Sequence, residues 1–254
     1  MVEKCHWKYS GNAPADIAVS PGADCLLLPR PEPSSYLPEC RSLRKILALD
    51  LSSNAGFAVI LDGPEPTIIH YGNVVMSKPK IAAFGAFPMC YVWAAEDVAK
   101  QCVELVRQHQ PDVIAIEETN HGRASGYSQK FLEYLHFALL QSLVGMIRPD
   151  QVKYIATGDW RRTLGIKMSK DDVNNNRKAR GANKAGSTAA EKKKAREAAG
   201  VSGKVTTKHL SVRYVNEHFN QKFILKDNDI ADAICVGMAY LKGASVSQGQ
   251  RRPT

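Results

Sequence analysis

The 254-residue sequence predicts an α/β protein with a mixed five-stranded sheet and helices on both of its faces. Three short apolar runs separated by turn residues predict an antiparallel meander at 45–50, 56–61 and 67–76. Apolar residues then recur at helical spacing over 89–109, and PDVIAIEE after them predicts a short, fully buried strand. A helix in this position is typical of a crossover to a parallel strand. The order of the elements therefore predicts a mixed sheet between packed helices.

The second half of the chain continues this alternation of helices and strands. A second helix is predicted at about 125–148, a fifth strand at 152–157 and a last helix at about 229–242. The second helix carries apolar residues over more than one stripe of its surface, whereas one stripe suffices to pack on a sheet. A deep position in the core explains this pattern, and so does a subunit interface. We favour the interface and therefore expect a homodimer.

Composition predicts additional regions around this core. Residues 1–42 contain a proline every few positions, which favours an irregular extension, and 244–254 are expected to form a flexible tail. One folded domain is expected at 43–243, with a basic insertion at about 167–208. No run approaches the roughly 20 apolar residues of a membrane span, and the first residues lack the apolar centre of a secretory signal. We therefore expect an intracellular protein without membrane contact.

The six cysteines form no recognised ligand pattern. No CxxC pair occurs, and in a reducing compartment most of these residues are expected to be ordinary small apolar side chains. A zinc site near the N-terminus is conceivable, but the spacing of its candidate ligands matches no standard motif. Those candidates are Cys5, His6, Cys25 and Cys40.

The positive charge of the chain is concentrated in one segment. Residues 161–213 contain 15 Lys and Arg and four acids, a net charge of +11, although the whole chain carries only +9. An excess confined to one polar segment predicts contact with a polyanion such as nucleic acid. A solvated, partly disordered insertion explains the charge alone equally well. Because 174–200 has almost no large apolar residues, we expect this run to be mobile without DNA.

Two of the predicted strands end in an acid. ILALD ends at Asp50 and VIAIE at Glu117, and a carboxylate after such apolar residues costs stability unless it is paired or binds a cation. If these strands are parallel neighbours, their acids meet at one edge of the sheet. Glu118 remains an alternative to Glu117, because a strand that is apolar on both faces does not show which acid faces the site. Asp50 alone is also explained by hydrogen bonds from the turn at 52–54.

A further pair of acids lies near the C-terminus. Asp229 and Asp232 are three residues apart, so on a helix they share a face with Cβ atoms roughly 5–6 Å apart. In isolation, Asp227 or Asp229 is equally well explained as a helix N-cap, with Asp232 as an acid in the first turn. Four carboxylates from three segments would repel one another at one site unless divalent cations neutralised them. Oxygen-rich clusters of this kind suit Mg²⁺ or Mn²⁺.

Four blocks of sequence together resemble a known family. The blocks are ILALDLSSNAGFAVI, PDVIAIEE, TGDWRRTLGI and DNDIADAICVGMAYL, spread over about 44–242. They resemble RuvC-type Holliday-junction resolvases of the RNase H-like superfamily. The resemblance implies an RNase H-like fold and a metal-dependent, structure-selective endodeoxyribonuclease that cleaves branched DNA such as Holliday junctions. It also implies two Mg²⁺ or Mn²⁺ ions held by the catalytic carboxylates Asp50, Glu117, Asp229 and Asp232.

The resemblance fits a viral or phage protein as well as a cellular one. The expected location is therefore the cytoplasm or the nucleoid, or the host cytoplasm for a virus. Symmetric cuts in a junction need two sites related by a twofold axis, which again favours a homodimer. The basic stretch 168–208 is longer than a compact bacterial member of the family would need, and residues 1–42 have no counterpart in the family. The residues expected to hold DNA phosphates are Arg161, Arg162, Lys167, Lys170, Arg177, Lys178, Arg180, Lys192, Lys193, Lys194, Arg196, Lys204 and Lys208.

Two other functions fit parts of the sequence. A non-catalytic nucleic-acid-binding protein could keep the same fold, but the presence of all four acids argues against it. An actin-like phosphotransferase shares the opening strand, acid and hairpin, yet it needs glycine-rich phosphate loops, and DLSSNAGFAV has only Gly56. Some aromatic residues of the second helix could stack on opened DNA bases, although packing explains them better. These are Tyr127, Phe131 and Tyr134.

Overall fold

Five strands form a single sheet at the centre of the fold. They are β1 (Arg44–Asp50), β2 (Asn54–Asp62), β3 (Thr67–Val75), β4 (Val113–Glu118) and β5 (Val152–Ala156). Their order across the sheet is β3-β2-β1-β4-β5. The first three strands are antiparallel neighbours, whereas β4 and β5 run parallel to β1. The predicted mixed five-stranded sheet is confirmed, and its order is the RNase H-like arrangement that the resemblance implied.

The computed structural model describes residues 43–118, 126–184, 188–200 and 203–243, apart from the side chain of Tyr127. The predicted extension and tail lie outside these residues, and so does the candidate zinc site. None of the helices in the described part of the chain has the length and apolar character that a membrane span requires. The α-helices of that part are α1 (Met89–His109), α2 (Gly126–Leu143), α3 (Thr157–Thr163), α4 (Lys170–Lys184), α5 (Ala189–Ala198), α6 (Thr207–Phe219) and α7 (Asn228–Leu241).

Side chains alternate between the two faces of the sheet and so divide the core in two. Leu49 of β1 and Ile116 of β4 belong to the apolar cluster that α1 and α2 cover. Ile46 and Ala115 belong to the opposite cluster, which α6 and α7 cover. Because the side-chain period of a strand is two, Asp50 continues the series of Ile46 and extends toward the α7 face.

Helix α7 lies unusually close to the sheet. A Cβ atom added to Gly56 of β2 would stand 1.9 Å from the backbone oxygen of Asp229, and one added to Gly237 would stand 2.6 Å from Ile60 Cδ1. The missing side chain of Gly56 therefore admits the first turn of α7 to the strand surface. Gly56 pairs directly with Asp50 across β1 and β2, so this close approach brings Asp229 next to Asp50.

The second helix is shorter than the sequence predicts. Helix α2 ends at Leu143, and Gly145 follows in a left-handed conformation with φ 81°, which ends the helix before 148. Its buried stripe, which includes Leu139 and Leu143, packs against α1. A second stripe remains exposed, and Phe137 on it retains 65% of its accessible surface. The excess of apolar residues therefore has two causes, a core stripe and an uncovered one.

The basic segment is helical, which the sequence analysis did not anticipate. Helices α4 and α5 and the first half of α6 lie within 161–213, where a basic insertion with a mobile run at 174–200 was expected. A capping box between Thr188 and Glu191 starts α5, and Arg196 of α5 donates a hydrogen bond to Asn183 of α4 over 3.0 Å. Polar contacts rather than a hydrophobic stripe define α4 and α5. This is why a search for apolar periodicity missed them.

We predict that Gly56→Ala destabilises the protein by roughly 1–3 kcal/mol or more, because the new methyl group collides with rigid helix backbone and not with a movable side chain. Thermal unfolding of the purified variant measures the loss. Gly158→Ala is the matched control, since a Cβ there meets nothing within 4 Å and alanine favours helix. Equal stability of the two variants would contradict the close approach of α7.

Candidate active site

Asp50 and Glu117 lie side by side at one edge of the sheet. The parallel register pairs Leu49 with Ile116, so the next pair along these strands is Asp50 with Glu117. A hydrogen bond joins the two side chains. The predicted meeting of the two strand-end acids is therefore present in the structure. Asp50 is held by Glu117 in addition to any contact with the turn that follows β1.

The two acids of β4 face opposite sides of the sheet. Glu117 Oε1 accepts hydrogen bonds from the hydroxyl of Thr157 and from Trp160 Nε1, the latter over 3.3 Å, and both donors lie on α3. Glu118 lies near Tyr154 on the other face, where burial and the Glu118 carboxylate raise the pKa of the tyrosine to about 12. Glu117, and not Glu118, therefore belongs to the carboxylate cluster around Asp50.

The first turn of α7 supplies Asp229. Its Oδ2 accepts a 2.9 Å hydrogen bond from Asn54 Nδ2, and the side-chain amide of Asn228 donates to its Oδ1. Lys208 Nζ of α6 approaches the same Oδ1 at 3.5 Å. Asp227 occupies the N-cap position but accepts a hydrogen bond from the Ile224 amide instead of capping α7. The N-cap alternative is therefore wrong for Asp229.

Asp232 lies one helical turn deeper than Asp229. Only 6% of its surface is accessible, and its Oδ1 has no hydrogen-bond partner among the residues that the structure describes. Ser211 of α6 forms a hydrogen bond with the carboxyl group. A buried carboxylate oxygen without a partner is costly, and so it requires a physical reason.

Burial and mutual repulsion raise the pKa values of this cluster. Burial raises the pKa of Asp50 well above its ordinary value, and the carboxylates of Glu117, Asp232 and Asp229 raise it further. Burial likewise raises the pKa of Asp232 to about 7, with a further contribution from Glu117. Each ionised form is therefore disfavoured unless positive charge is supplied nearby.

Two basic side chains supply part of that charge. Arg161 of α3 and Lys208 of α6 both oppose the rise in the pKa of Asp232. The guanidinium of Arg161 lies 4.7 Å from the centre of the Trp160 ring, and its buried Nε has no hydrogen-bond partner in the described part of the chain. Arg161 and Lys208 are thus the two predicted DNA-binding residues that the fold brings to the carboxylates.

The donor atoms of the cluster fit Mg²⁺ or Mn²⁺, which prefer carboxylate oxygens. A cation would also provide the missing partner for Asp232 Oδ1. The side chains are not already gathered around one point, because no three His, Cys, Asp or Glu side chains among the described residues are placed to hold one ion. Asp50 is bonded to Glu117, and Asp229 to neighbouring amides, so metal binding requires these contacts to exchange. The metal site stays a prediction.

The remaining predicted DNA-binding residues lie along the basic helices and the turns beside them. Lys192 and Arg196 of α5 are partly buried. The others are exposed: Arg162, Lys167, Lys170, Arg177, Lys178, Arg180, Lys193, Lys194 and Lys204. Of the aromatic candidates, Phe131 is buried in the core and Tyr134 is 38% exposed.

Sequence reasoning missed the side chains that orient the acids. Thr157 and Trp160 belong to the block TGDWRRTLGI, which was used for the family resemblance without assigning a role to either residue. Asn54 is the first residue of β2, although the sequence analysis read it only as part of the turn after β1. Nothing in the local pattern indicates their partners, because each bond joins positions at least 40 residues apart.

No protein-family model matches the chain, and no curated protein sequence does so either. Solved structures with a similar architecture include RuvC of Thermus thermophilus in complex with Holliday junction substrate, at 11% identity, covering 78% of this chain and 93% of that chain with a TM-score of 0.49. The yeast mitochondrial Holliday junction resolvase Ydc2 is 12% identical, covering 79% and 80% of the two chains with a TM-score of 0.41.

Fowlpox virus resolvase, solved with substrate Holliday junction DNA, is 13% identical, with 78% of this chain and 97% of that chain covered and a TM-score of 0.36. RuvC, the resolvase type that the sequence blocks resemble, is thus among these proteins, and so is a viral resolvase. Identities this low leave the chemistry of this chain to be argued from its own residues.

We predict that Asp50→Asn raises the melting temperature of the metal-free protein at pH 7.5 but not near pH 4. Raised carboxyl pKa values mean that the folded protein binds more protons than the unfolded chain. The wild type therefore loses stability as pH rises from about 4 through about 7, the value for Asp232. The amide cannot ionise and relieves one repulsive charge. Thermal unfolding in chelator, and then with added Mg²⁺ or Mn²⁺, measures both effects.

Added metal should stabilise the wild type more than the variant, because binding to the folded state raises its melting temperature. Asp150→Asn is the matched control, since Arg148 lowers the pKa of Asp150 and its loss removes an attraction. A melting temperature that Asp50→Asn leaves unchanged at pH 7.5 would contradict the repulsion within the cluster.

Proposed function

We propose that the protein is a metal-dependent, structure-selective endodeoxyribonuclease that cleaves branched DNA. The observation that carries this proposal is the convergence of four carboxylates, Asp50, Glu117, Asp229 and Asp232, beside two cationic side chains at one edge of the sheet. The motif resemblance described above supports the same chemistry. No side-chain nucleophile is needed for phosphodiester hydrolysis when a water molecule attacks the phosphorus.

Two bound Mg²⁺ or Mn²⁺ ions would activate that water and stabilise the leaving 3′ oxygen. Asp50 is the residue best placed to hold both ions, because it lies between Glu117 on the next strand and the acids of α7. Thr157 and Trp160 would keep Glu117 in place when its contacts with the other acids are replaced by contacts with metal. Lys208, which contacts Asp229 over 3.5 Å, would be placed to hold the scissile phosphate beside the bound ions.

The basic helices provide the surface for the rest of the DNA. On α4, Lys170, Arg177 and Lys184 are seven residues apart and share one exposed face, opposite the buried residues Asp172 and Asn176. At 1.5 Å per residue this stripe is about 21 Å long, which suits several phosphates of one DNA strand. Such contacts give affinity for DNA with little dependence on sequence.

A homodimer is part of the proposal, because paired cuts require two active sites. The uncovered stripe of α2 and the turn after it provide the surface, with Phe137 65% and Val144 80% exposed. Leu139 and Leu143 of the same helix are buried in the core and do not belong to this surface.

We expect Glu117→Gln and Asp50→Asn to bind four-way DNA normally and to lose cleavage by at least about a hundredfold, because each removes a metal ligand. Glu118→Gln is the matched control and should cleave like the wild type, since it faces the other side of β4. Labelled four-way, flap and linear DNA, cut side by side with Mg²⁺, measure activity and structure preference. A wild type that binds these substrates without cutting them would make the protein a non-catalytic DNA-binding protein.

Changing Lys170, Arg177 and Lys184 together to Gln should weaken DNA binding and flatten the salt dependence of log affinity by roughly two to three units. Thermal stability should hardly change, because all three side chains are exposed. A triple variant with exposed basic residues outside the segment, Lys100, Arg107 and Arg148, is the matched control. If the salt dependence of log affinity is unchanged in the α4 variant, the stripe does not contact DNA phosphates.

Replacing Phe137 and Val144 with Glu should convert the dimer to monomers without unfolding it, because both side chains are exposed. Sedimentation at micromolar concentration measures the mass, and circular dichroism checks the fold. The Leu139→Glu variant should instead unfold, since it places a charge in the core. A wild type that sediments as a monomer would overturn the dimer.

A further inference from the structure

Helix α4 is joined to α6 by a paired ionic contact. Arg213 donates two hydrogen bonds, each of 3.1 Å, to the two carboxylate oxygens of Asp172. Asp172 is only 7% exposed, and it also accepts a hydrogen bond from the backbone amide of Ser169 over 3.1 Å. The Arg213 guanidinium, helped by Ser169, lowers the pKa of Asp172 to about 2. A two-point contact of this kind fixes orientation as well as distance.

The Asn run at the same level of α4 adds a second attachment. Asn176 donates to the backbone oxygen of Val205 over 2.8 Å and accepts from the Val205 amide over 2.7 Å, as a neighbouring strand would. Asn175 donates to the backbone oxygen of Gly203 over 2.8 Å. The polar run NNN is therefore partly an anchor between α4 and the residues that lead into α6.

The N-terminal half of α6, between Val205 and Arg213, reaches the carboxylate cluster. Lys208, in its first turn, contacts Asp229, and Ser211 is bonded to Asp232. The apolar residues of α6, including Val215, pack in the same cluster as α7. One continuous set of contacts thus runs from the basic helix α4 through α6 to the candidate active site.

We infer that Asp172, Arg213 and Asn176 form a latch that holds the basic helix α4 in a fixed position relative to the carboxylates. The latch residues occupy the inner face of α4 and the facing side of α6, so they leave the outer basic stripe free for DNA. They are positioning residues, and their role rests on the proposed nuclease function. DNA held by the stripe is thereby placed with its scissile phosphate at the cluster, and its cut position is fixed.

An ion pair that acted only through its charge would show the same contacts, but its variants would behave differently. Two variants break the contact between Asp172 and Arg213 but change the net charge of the protein in opposite directions. Asp172→Asn removes a negative charge and keeps the shape, whereas Arg213→Met removes a positive charge and keeps the apolar stem. If the pair acted only through charge, the two variants would shift DNA affinity in opposite directions. If it positions α4, both variants slow cleavage and broaden the cut sites.

The experiment compares both variants with the wild type on end-labelled four-way DNA at saturating protein. We expect single-turnover cleavage to fall about tenfold or more and cuts to spread over neighbouring phosphates, because small misplacements of a reacting group are costly. The dissociation constant should change less than about threefold, since the basic stripe is intact. Arg213→Lys, which keeps the charge and one bond, should recover part of the rate. Asp150→Asn, which breaks the exposed pair with Arg148, is the matched control and should cleave normally.

Hydrogen exchange of the DNA-free protein separates the possible failures. Both latch variants should lose protection in α4 while keeping it in α7, because the hydrophobic packing of α7 is untouched. If the α4 amides of both variants exchange as slowly as those of the wild type, the latch is overturned, whether or not the protein is a nuclease. If variants whose α4 has lost protection still cut DNA at the wild-type positions and rates, the positioning role of the latch is overturned. A wild type that cuts no DNA would instead overturn the nuclease proposal, and the positioning role with it.

Discussion

The fold depends on the close approach of helix α7 to the central hairpin. Gly56 lies opposite Asp50 in the sheet and leaves room for the backbone of Asp229, which no residue with a side chain would do. Gly237 allows the same closeness two turns later against Ile60. Because α7 carries two of the four acids, this packing constraint also determines the site.

The carboxylate cluster is unfavourable by itself, and the surrounding structure partly offsets its cost. Thr157 and Trp160 donate to Glu117, while Lys208 and Arg161 bring positive charge. The unpartnered oxygen of Asp232 and the raised pKa of Asp50 show that the compensation is incomplete. Such residual strain is expected at a functional site, where ligand binding supplies the remaining stabilisation.

The basic helices show a different way of stabilising a segment that has few apolar residues. Helix α4 is fixed by the ion pair of Asp172 with Arg213 and by the amide contacts of Asn176, and its outer face keeps the charge of Arg177 exposed. Directional polar contacts can hold a helix where hydrophobic burial is insufficient, because each contact satisfies groups that would otherwise be buried without partners. Charge on one face and anchoring on the other can thus coexist in a highly charged run.

The sequence by itself determined the sheet, the first and last helices and the candidate acids, but it left Glu117 and Glu118 as alternatives. Alternating and helical apolar periods are local properties, and the acids that follow the apolar runs of β1 and β4 can be read directly from them. Tertiary structure alone decided that Glu117 rather than Glu118 joins the cluster, that α2 buries Leu139 while exposing Phe137, and that the basic segment is helical. These outcomes depend on partners far away in the chain, and the preferences of neighbouring residues carry no information about such partners.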